Sequence, residues 1–365
     1  MIITRRDFGK LAAAALPAAA FPYERLLAAA KPNSVFGGVQ IGVITYSFRG
    51  LSDSAEDTLK YCLDCGINAI ELMSNVAERY AGSPQSGRGF GPGGPPGGPG
   101  GMPPGAAQRA ARQGAAGGPP GGTGAAGQGR PGGGRQPLTP EQQAARQKQT
   151  EELKQWRLSV PMSKYKAFRK MYEDAGVKIF AFKLEPRLEM SDEEYAYIWN
   201  VGQTLGANHI TMELPTDDKL LQRVADYAAK RKLRIAFHTH GQGGASGFDK
   251  VLGASKFTAL NFDVGHYYGV NGQSPVPLVE KYHDRIASLH LKDRKGPGSA
   301  DAGGRGGANM PWGQGETPLK DVLQLMKRNK YKFPASIEFE YQTPEGSDVL
   351  TEIRKCVQYC KDTLA

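Results

Sequence analysis

Short apolar runs alternate along the chain with longer segments whose apolar residues recur at three- and four-residue spacing. The longer segments predict amphipathic helices, for example over residues 57–66, 192–206, 220–232 and 319–329. Eight of the short runs predict β-strands. These strands cover residues 41–48, 69–73, 178–185, 209–214, 234–240, 260–266, 287–293 and 335–340.

This alternation indicates an α/β fold. Strands that alternate with helices form parallel sheets with crossover helices, and eight strands close a (β/α)8 TIM barrel. We therefore predict a single barrel domain over residues 36–365. An open doubly wound sheet is the alternative. It would usually carry a glycine-rich phosphate turn after the first strand, and TYSFRG is not such a turn.

A glycine- and proline-rich segment interrupts the pattern between the second and third strands. Residues 82–135 hold 22 of the 48 glycines and almost no apolar residues. Such a composition cannot compensate the entropy that ordering costs. We predict a disordered Gly/Pro-rich insert over residues 82–150 that leaves the barrel as a surface loop.

The amino terminus carries a targeting pattern. Arg5 and Arg6 precede an Ala- and Leu-rich run that ends near Phe21. This pattern is typical of a twin-arginine export signal, and the run is shorter than the about 20 residues of a membrane span. We predict a signal peptide and leader over residues 1–32, recognition by the twin-arginine export machinery, and a periplasmic or extracytoplasmic location. A chance arginine pair and a retained anchor are the alternatives.

The basic charge lies mostly outside the predicted barrel. The formal net charge is +10, of which residues 1–31 contribute +3 and residues 82–135 contribute +5. A nucleic-acid-binding domain carries its basic residues on its folded face, so this distribution argues against nucleic acid as a partner.

Polar side chains cluster at the carboxyl ends of the predicted strands, where TIM barrels carry their chemistry. Burying so many polar groups unpaired would be costly, and a divalent metal removes that cost. Mixed ligation by His, Asp and Glu suits Mn²⁺, Zn²⁺, Co²⁺ or Fe²⁺ better than Ca²⁺. A metal-free polar network is the alternative. The strand-end residues are Glu71, Lys183, Glu213, His238, His240, Asp263, His266, His290, Asp293, Glu338 and Glu340.

Several segments resemble motifs of a known family. AFHTHG, FDVGH, SLHLKD with the downstream WGQGETPLKDVLQLMKRNKY, and ASIEFEY are similar to motifs of the xylose-isomerase-like barrels in the sugar phosphate isomerase/epimerase superfamily. The resemblance covers about residues 41–364 apart from the insert. It implies a metal-dependent sugar isomerase or epimerase that acts on a small carbohydrate.

The resemblance also implies individual metal ligands. Asp263, His290 and Glu338 match ligands of the sixth, seventh and eighth strands, and Glu338 also matches a proton-transfer group. His238 stands where the sugar epimerases usually have a glutamate, and we take Glu213 on the fourth strand as the compensating carboxylate. The predicted metal ligands are therefore Glu213, His238, Asp263, His290 and Glu338.

The predicted reaction is proton transfer next to a sugar carbonyl. The metal would stabilise an enediolate while Glu338 and Glu213 move the proton. For Glu71 and Lys183 an ion pair at the barrel mouth is the alternative to a substrate contact, and for Trp312 it is packing at a loop base. Glu340 is expected to pair with a nearby Lys or Arg. The predicted substrate contacts are Glu71, Lys183, His240, Trp312 and His266, the last of which matches a substrate-binding or second-metal histidine.

Three rival functions use the same predicted barrel. A lyase could cleave keto-glycosides by β-elimination, which also begins with deprotonation beside a ketone, and export would favour such a substrate. A DNA repair enzyme of the endonuclease IV type would need more ligands and a basic face. A sugar-binding barrel without chemistry is the third, and a homo-oligomer stays open for all of them.

The four cysteines form two close pairs. Cys62 and Cys65 lie on the first predicted helix, and Cys356 and Cys360 on the last, which are neighbours in a closed barrel. We expect buried thiols, with a disulfide or a structural zinc site as alternatives.

Overall fold

A computed structural model describes residues 31–84, 139–241, 244–299 and 306–365. The predicted export signal and residues 85–138 of the predicted insert lie outside these ranges, so both stay predictions. Within these ranges no helix is long and apolar enough to span a bilayer.

The described elements alternate between strands and helices over most of the chain. In order they are β1 (Val35–Phe36), β2 (Val39–Ile44), α1 (Ala55–Asp64), β3 (Ala69–Met73), α2 (Ser74–Tyr80), α3 (Pro140–Ser159), α4 (Ser163–Asp174), β4 (Lys178–Lys183), α5 (Asp192–Leu205), β5 (His209–Glu213), α6 (Asp218–Arg231), β6 (Arg234–His238), α7 (Gly244–Gly253), β7 (Thr258–Asp263), α8 (Val264–Asn271), α9 (Val276–Tyr282), β8 (Ile286–Leu291), β9 (Asp293–Arg294), β10 (Asn309–Met310), α10 (Leu319–Asn329), β11 (Ala335–Ile337) and α11 (Val349–Leu364).

Eight parallel strands form a closed barrel in the order β2-β3-β4-β5-β6-β7-β8-β11. The last strand returns to the first, with Ala335 opposite Ile41. β2 also pairs with β3, where Val43 lies opposite Ile70. The barrel therefore has no open edge, which confirms the predicted TIM barrel and excludes the open sheet.

The barrel strands end earlier than the apolar pattern predicts. β6 ends at His238 and β7 at Asp263, so His240 and His266 lie beyond the strands. The reason is visible at Asp263, whose Oδ1 accepts a hydrogen bond from the His266 backbone N–H at 2.7 Å. This contact caps α8, which begins at the next residue.

The predicted helices begin and end close to their predicted bounds because local signals define them. Ser191 and Glu194 form a capping box at the start of α5. Gly206 ends the same helix in a left-handed conformation, with φ of 77°. The Asp217 side chain caps α6 by accepting from the Lys219 and Leu220 backbone N–H groups.

The structure corrects the carboxyl-terminal end of the predicted insert, because α3 occupies Pro140–Ser159. Thr139 and Gln142 form a capping box, and a proline occupies the first turn. The Arg157 guanidinium donates to both oxygens of Glu78 at 2.8 and 3.1 Å. This largely buried pair ties α3 to α2, so the insert rejoins the folded part before residue 140.

All four cysteines are buried free thiols. Burial raises the pKa of Cys65 to about 12, which disfavours the reactive thiolate. The thiols pack as small apolar residues, in agreement with the first of the three alternatives.

Candidate functional site

Four buried side chains converge at the carboxyl-terminal rim of the barrel. One candidate ligand atom from each of His238, Asp263, His290 and Glu338 lies within 4.8 Å of all the others. The first two residues end β6 and β7, His290 lies in β8, and Glu338 directly follows β11. Because parallel strands of a barrel end at one rim, residues up to 100 positions apart meet there. The structure thus brings together four of the five predicted metal ligands.

His290 lies between two glutamates. Its Nε2 is 2.7 Å from Oε2 of Glu71, and its Nδ1 is 2.6 Å from Oε2 of Glu338. Burial disfavours the charged ring, but the charges of both glutamates outweigh burial and raise the pKa of His290 to about 10. Burial likewise opposes ionisation of Glu71, yet the His290 charge lowers the pKa of Glu71 to about 2.

Glu71 lies beneath the cluster and is fully buried. Besides His290 it accepts hydrogen bonds from Oγ1 of Thr211 at 2.7 Å and from Nδ2 of Asn261 at 3.2 and 3.0 Å. These contacts fix the carboxylate so that it orients the His290 ring. Complete burial behind that ring does not fit the predicted substrate contact of Glu71.

Lys292 places a buried ammonium group among three carboxylates. Its Nζ lies 3.0 Å from Oδ2 of Asp263, 3.0 Å from Oε2 of Glu338 and 2.7 Å from Oε2 of Glu340. Burial disfavours the ammonium, but these three charges outweigh it and raise the pKa of Lys292. The expected pairing of Glu340 with a lysine or arginine is confirmed.

A glycine makes room for the lysine. A Cβ on Gly265 would lie 2.3 Å from both Cγ and the carbonyl oxygen of Lys292. Only glycine fits where α8 packs this closely on the end of β8. The FDVGH and HLKD motifs are therefore linked by direct packing.

The donor set of the four-residue cluster fits a divalent cation. Nδ1 of His238 and Oδ2 of Asp263 are buried and make no hydrogen bond with any described residue, although that oxygen pairs with the Lys292 ammonium. Burial lowers the pKa of His238, which keeps a lone pair on the ring. An unprotonated imidazole nitrogen and a carboxylate oxygen are ligands that Zn²⁺ and Mn²⁺ accept.

Glu213, the fifth predicted metal ligand, lies outside the four-residue cluster. Its Oε1 accepts from Nζ of Lys183 at 2.7 Å, and its Oε2 lies 2.8 Å from Nε2 of His240. Burial opposes ionisation, but the charge of Lys183 and the hydrogen bond from His240 outweigh it and lower the pKa of Glu213. Glu213 is not a member of the converging group, so its role as a metal ligand stays a prediction. Lys183 therefore forms an ion pair at the barrel mouth, which is the alternative given for it, and its partner is Glu213.

Two further imidazoles, those of His240 and His266, line the mouth next to His238. The ring centroids of His240 and His266 are 4.5 Å apart, and those of His238 and His240 are 4.6 Å apart. Arg294 donates from Nη1 to Nδ1 of His266. Burial and the charge of Lys292 lower the pKa of His266, so its ring is neutral near pH 7.

Asp293 anchors the loop that carries the WGQGE segment. Its carboxylate accepts from the backbone N–H groups of Gly313, Gly315 and Thr317 at 2.8, 2.9 and 3.2 Å. Trp312 in this loop packs edge-to-face on Tyr359 of α11, with ring centroids 5.6 Å apart. Trp312 therefore packs at the base of its loop, which is the alternative given for it. A contact of Trp312 with substrate stays a prediction.

Several partners of the cluster are not among the site residues that the sequence predicts. Lys292 follows His290 by two residues, so strand alternation alone could have placed both side chains on one face. Arg294 extends the same alternation by two more positions. Thr211 and Asn261 lie inside strands and carry no such signal, because hydroxyl and amide side chains within a strand are usually packing residues.

His209 lies at the opposite end of the barrel and gives a prediction for acid stability. Its buried Nε2 is 3.0 Å from Oγ of Ser288, and burial lowers its pKa to about 4 from an ordinary value of 6.5. The unfolded chain therefore takes up this proton first, and stability is lost as the pH falls from about 6.5 to about 4.

The His209→Gln variant keeps a polar contact but cannot titrate. We expect its free energy of unfolding to fall by about 3 kcal/mol less than that of the wild type over this pH range. Urea unfolding of both proteins between pH 7 and pH 4 measures the difference. The His283→Gln variant is the control, because His283 is exposed on the barrel surface. Parallel pH profiles for wild type and His209→Gln would contradict the prediction.

Comparison with known proteins agrees with this architecture. Residues 219–359 match the family described as Xylose isomerase-like TIM barrel. Two similar curated proteins are inosose dehydratases. The one from Clostridium botulinum (strain Eklund 17B / Type B) is 29% identical over 156 residues, covering 39% of this chain and 52% of the relative. The one from Clostridium tetani is 25% identical over 162 residues, covering 40% and 53%. The chain spans about half the length of the curated relatives it matches.

Solved structures support the fold alone, because their sequence identities are low. A sugar phosphate isomerase/epimerase from Parabacteroides distasonis has a TM-score of 0.52 at 15% identity, covering 90% of this chain and 96% of that chain. A xylose isomerase domain protein from Planctomyces limnophilus has a TM-score of 0.53 at 12% identity, covering 91% and 98%. A probable 3-DHS dehydratase from Bacillus anthracis has a TM-score of 0.53 at 14% identity, covering 87% and 98%.

Proposed function

We propose that this protein is a metal-dependent enzyme of the xylose-isomerase-like superfamily that removes a proton next to the carbonyl of a keto-sugar or a cyclic polyol ketone. The observation that carries the proposal is the convergence of His238, Asp263, His290 and Glu338 within 4.8 Å at the rim. The match of residues 219–359 to the barrel family supports it. The first activity we propose is elimination, because the two curated relatives described above are dehydratases.

His238, Asp263, His290 and Glu338 would hold the metal. When bound, a divalent cation supplies a Lewis acid that polarises a substrate carbonyl. Glu71 stands behind His290 as the carboxylate that orients a ligating histidine and raises its basicity. For Nδ1 of His290 to face a cation, the ring must give up one proton and keep the other on Nε2 toward Glu71.

His240 is the base that the geometry favours. Its side chain is 30% exposed at the mouth, so it can reach a ligand, and Glu213 contacts its Nε2 at 2.8 Å. Glu338 is less suited to this role. Burial opposes its ionisation, but the charges of Lys292 and His290 outweigh burial and hold the pKa of Glu338 well below the usual range. A carboxylate of low pKa is a weak base. The roles that we now propose are proton removal by His240 and orientation of its ring by Glu213, in place of a Glu213–Glu338 pair.

With one accessible base the simplest outcome is elimination. His240 takes the proton beside the carbonyl, and the C–H electron pair forms a carbon–carbon double bond. The bond from the next carbon to its oxygen substituent breaks, and that oxygen leaves with the proton returned by the His240 imidazolium. A hydroxyl leaving group makes the enzyme a dehydratase, and a glycosyl oxygen makes it a lyase of keto-glycosides.

Isomerisation or epimerisation is the second candidate. Glu338 lies at the same rim and is the carboxylate that could return a proton from another side, as the resemblance implies. Its engagement by Lys292 at 3.0 Å would have to be released first. This requirement ranks the two-base reaction below elimination.

The test is a screen of inosose, keto-sugars and keto-glycosides with the Mn²⁺-loaded protein in D2O. Deuterium uptake beside the carbonyl reports proton removal, and loss of water or of a glycosyl group separates elimination from epimerisation. We expect the His240→Ala variant to lose about 10²- to 10⁴-fold in rate, the usual contribution of a general base. The His283→Ala variant should keep the wild-type rate.

Each outcome of the screen is informative. Exchange that survives EDTA would contradict the metal requirement. Unchanged exchange in His240→Ala would move the base to Glu338, and a new epimer without loss of water would establish the second candidate. The absence of exchange with every ketone and every loaded metal would overturn the enzyme proposal.

A further inference from the structure

The guanidinium of Arg294 is built into the wall of the mouth. Arg294 is buried, and its Nε and Nη2 donate to the carbonyl oxygen of Gly307 at 2.9 and 2.6 Å. These two contacts hold the guanidinium plane, and its Nη1 donates to Nδ1 of His266. The arginine is thus fixed by the β9–β10 connection while one of its N–H groups faces the histidine.

The contact at Nδ1 determines the protonation of the His266 ring. A guanidinium has five N–H donors, no acceptor, and does not lose its proton in proteins. Nδ1 of His266 must therefore carry a lone pair. A neutral imidazole with a lone pair on Nδ1 carries its proton on Nε2.

The opposite nitrogen of His266 is a buried donor that faces the mouth. Nε2 makes no hydrogen bond with any described residue, and it lies 3.8 Å from Oε2 of Glu340 and 4.0 Å from Oδ2 of Asp263. Both distances exceed a hydrogen bond. A buried donor without an acceptor costs free energy that an oxygen of a bound ligand would recover.

We propose that Arg294 is a positioning residue that holds His266 in the Nε2–H tautomer, so that the ring presents a neutral donor to a hydroxyl or carbonyl oxygen in the mouth. This rests on the proposed function only in assigning the mouth to a substrate. It has a consequence for the three imidazoles, whose nitrogens also converge within 4.8 Å. A protonated Nε2 has no lone pair, so His238, His240 and His266 do not form a second cation site.

The test is nitrogen NMR on the full protein with ¹⁵N-labelled histidine. The His266 signals are assigned by their loss in the His266→Gln variant. We expect a protonated, pyrrole-like Nε2 and an unprotonated, pyridine-like Nδ1. In the Arg294→Met variant we expect the two nitrogens to move toward each other as both tautomers become populated. Arg294→Gln, which keeps an N–H donor, should restore part of the wild-type pattern.

Arg285→Met is the matched control. The Arg285 guanidinium also donates to backbone carbonyls, those of Leu252, Ser255 and Thr258, but it does not contact His266.

A protonated Nδ1 in the wild-type protein would overturn the proposal even if Arg294→Met does not fold. An unchanged His266 pattern in folded Arg294→Met would also overturn it. Added Zn²⁺ should leave the His266 nitrogens unligated, and a zinc-bound His266 nitrogen would overturn the exclusion of the second cation site. None of these outcomes depends on turnover, so they are separable from failure of the proposed reaction.

Discussion

The Asp263→Asn variant should lose its bound metal and at least about 10³-fold of the proton-exchange rate, while its fold stays intact. Asparagine keeps the oxygen that accepts the His266 backbone N–H, so α8 keeps its cap. The substitution removes one negative charge from the cluster and replaces a carboxylate ligand by a weaker amide oxygen. The Lewis acidity of a bound metal is worth several kcal/mol, and each 1.36 kcal/mol is about tenfold in rate.

Elemental analysis after loading and desalting measures the metal, and the D2O exchange assay measures the rate. Asp217→Asn is the matched control, because Asp217 caps α6 through the same kind of contact but is no member of the cluster. It should keep both metal and rate. Full metal content in Asp263→Asn would show that the converging atoms are not the metal site.

The Lys292→Met variant should be destabilised by about 3–5 kcal/mol in EDTA, because removing one partner of a buried ion pair leaves uncompensated charge. In the described part of the chain, Lys292 is the one lysine that pairs with Asp263 and Glu338, with its Nζ 3.0 Å from a carboxylate oxygen of each. Without it these carboxylates and Glu340 repel each other. A divalent cation in the cluster would restore the missing positive charge, so Mn²⁺ should stabilise the variant more than the wild type.

Urea unfolding with EDTA and with excess Mn²⁺ measures both effects. Lys281→Met is the control, since Lys281 pairs with Asp249 on the exposed surface and such pairs contribute about 0–1 kcal/mol. Equal stability of wild type and Lys292→Met in EDTA would mean that the carboxylates are protonated in the folded protein. Equal stabilisation of both proteins by Mn²⁺ would argue that lysine and metal do not share the same carboxylates.

The two variants also distinguish two states of the rim. In the metal-free protein the positive charges of Lys292 and His290 offset part of the negative charge of the carboxylates around them. Metal binding requires His290 to lose a proton, so affinity should rise with pH. The lysine then keeps its contact with Glu340, which lies outside the four-residue cluster.

The hydrophobic pattern by itself determined the class of fold. All eight barrel strands lie where the apolar runs predict them, because burial of a strand on both faces requires a continuous apolar run. Helix bounds such as those of α5 follow from caps that act within a few residues, here Ser191 and Gly206. The predicted end of the insert at residue 150 is wrong, because the capping box at Thr139 starts a helix inside the predicted range.

The candidate ligands were also visible in the sequence, since histidines and acids at strand ends have one rim on which to meet. The sequence could not decide which of them share one cluster. Glu213 and His238 pair in register on β5 and β6, yet Lys183 and His240 engage Glu213 while His238 joins Asp263. These choices depend on side-chain direction and on competition between charges, which only the tertiary structure specifies.

Separation along the chain distinguishes the features that the sequence predicts from those that only the tertiary structure shows. Local caps and apolar periodicity act between near neighbours in the chain, so the sequence alone determined the barrel, its helices and the rim that carries the polar residues. Three other features join residues from different strands and loops. They are the two glutamate contacts of His290, the contacts of Lys292 with three carboxylates, and the contact of Arg294 with His266. Electrostatic interactions in a buried site depend on distance and desolvation, and these were decided only when the barrel closed.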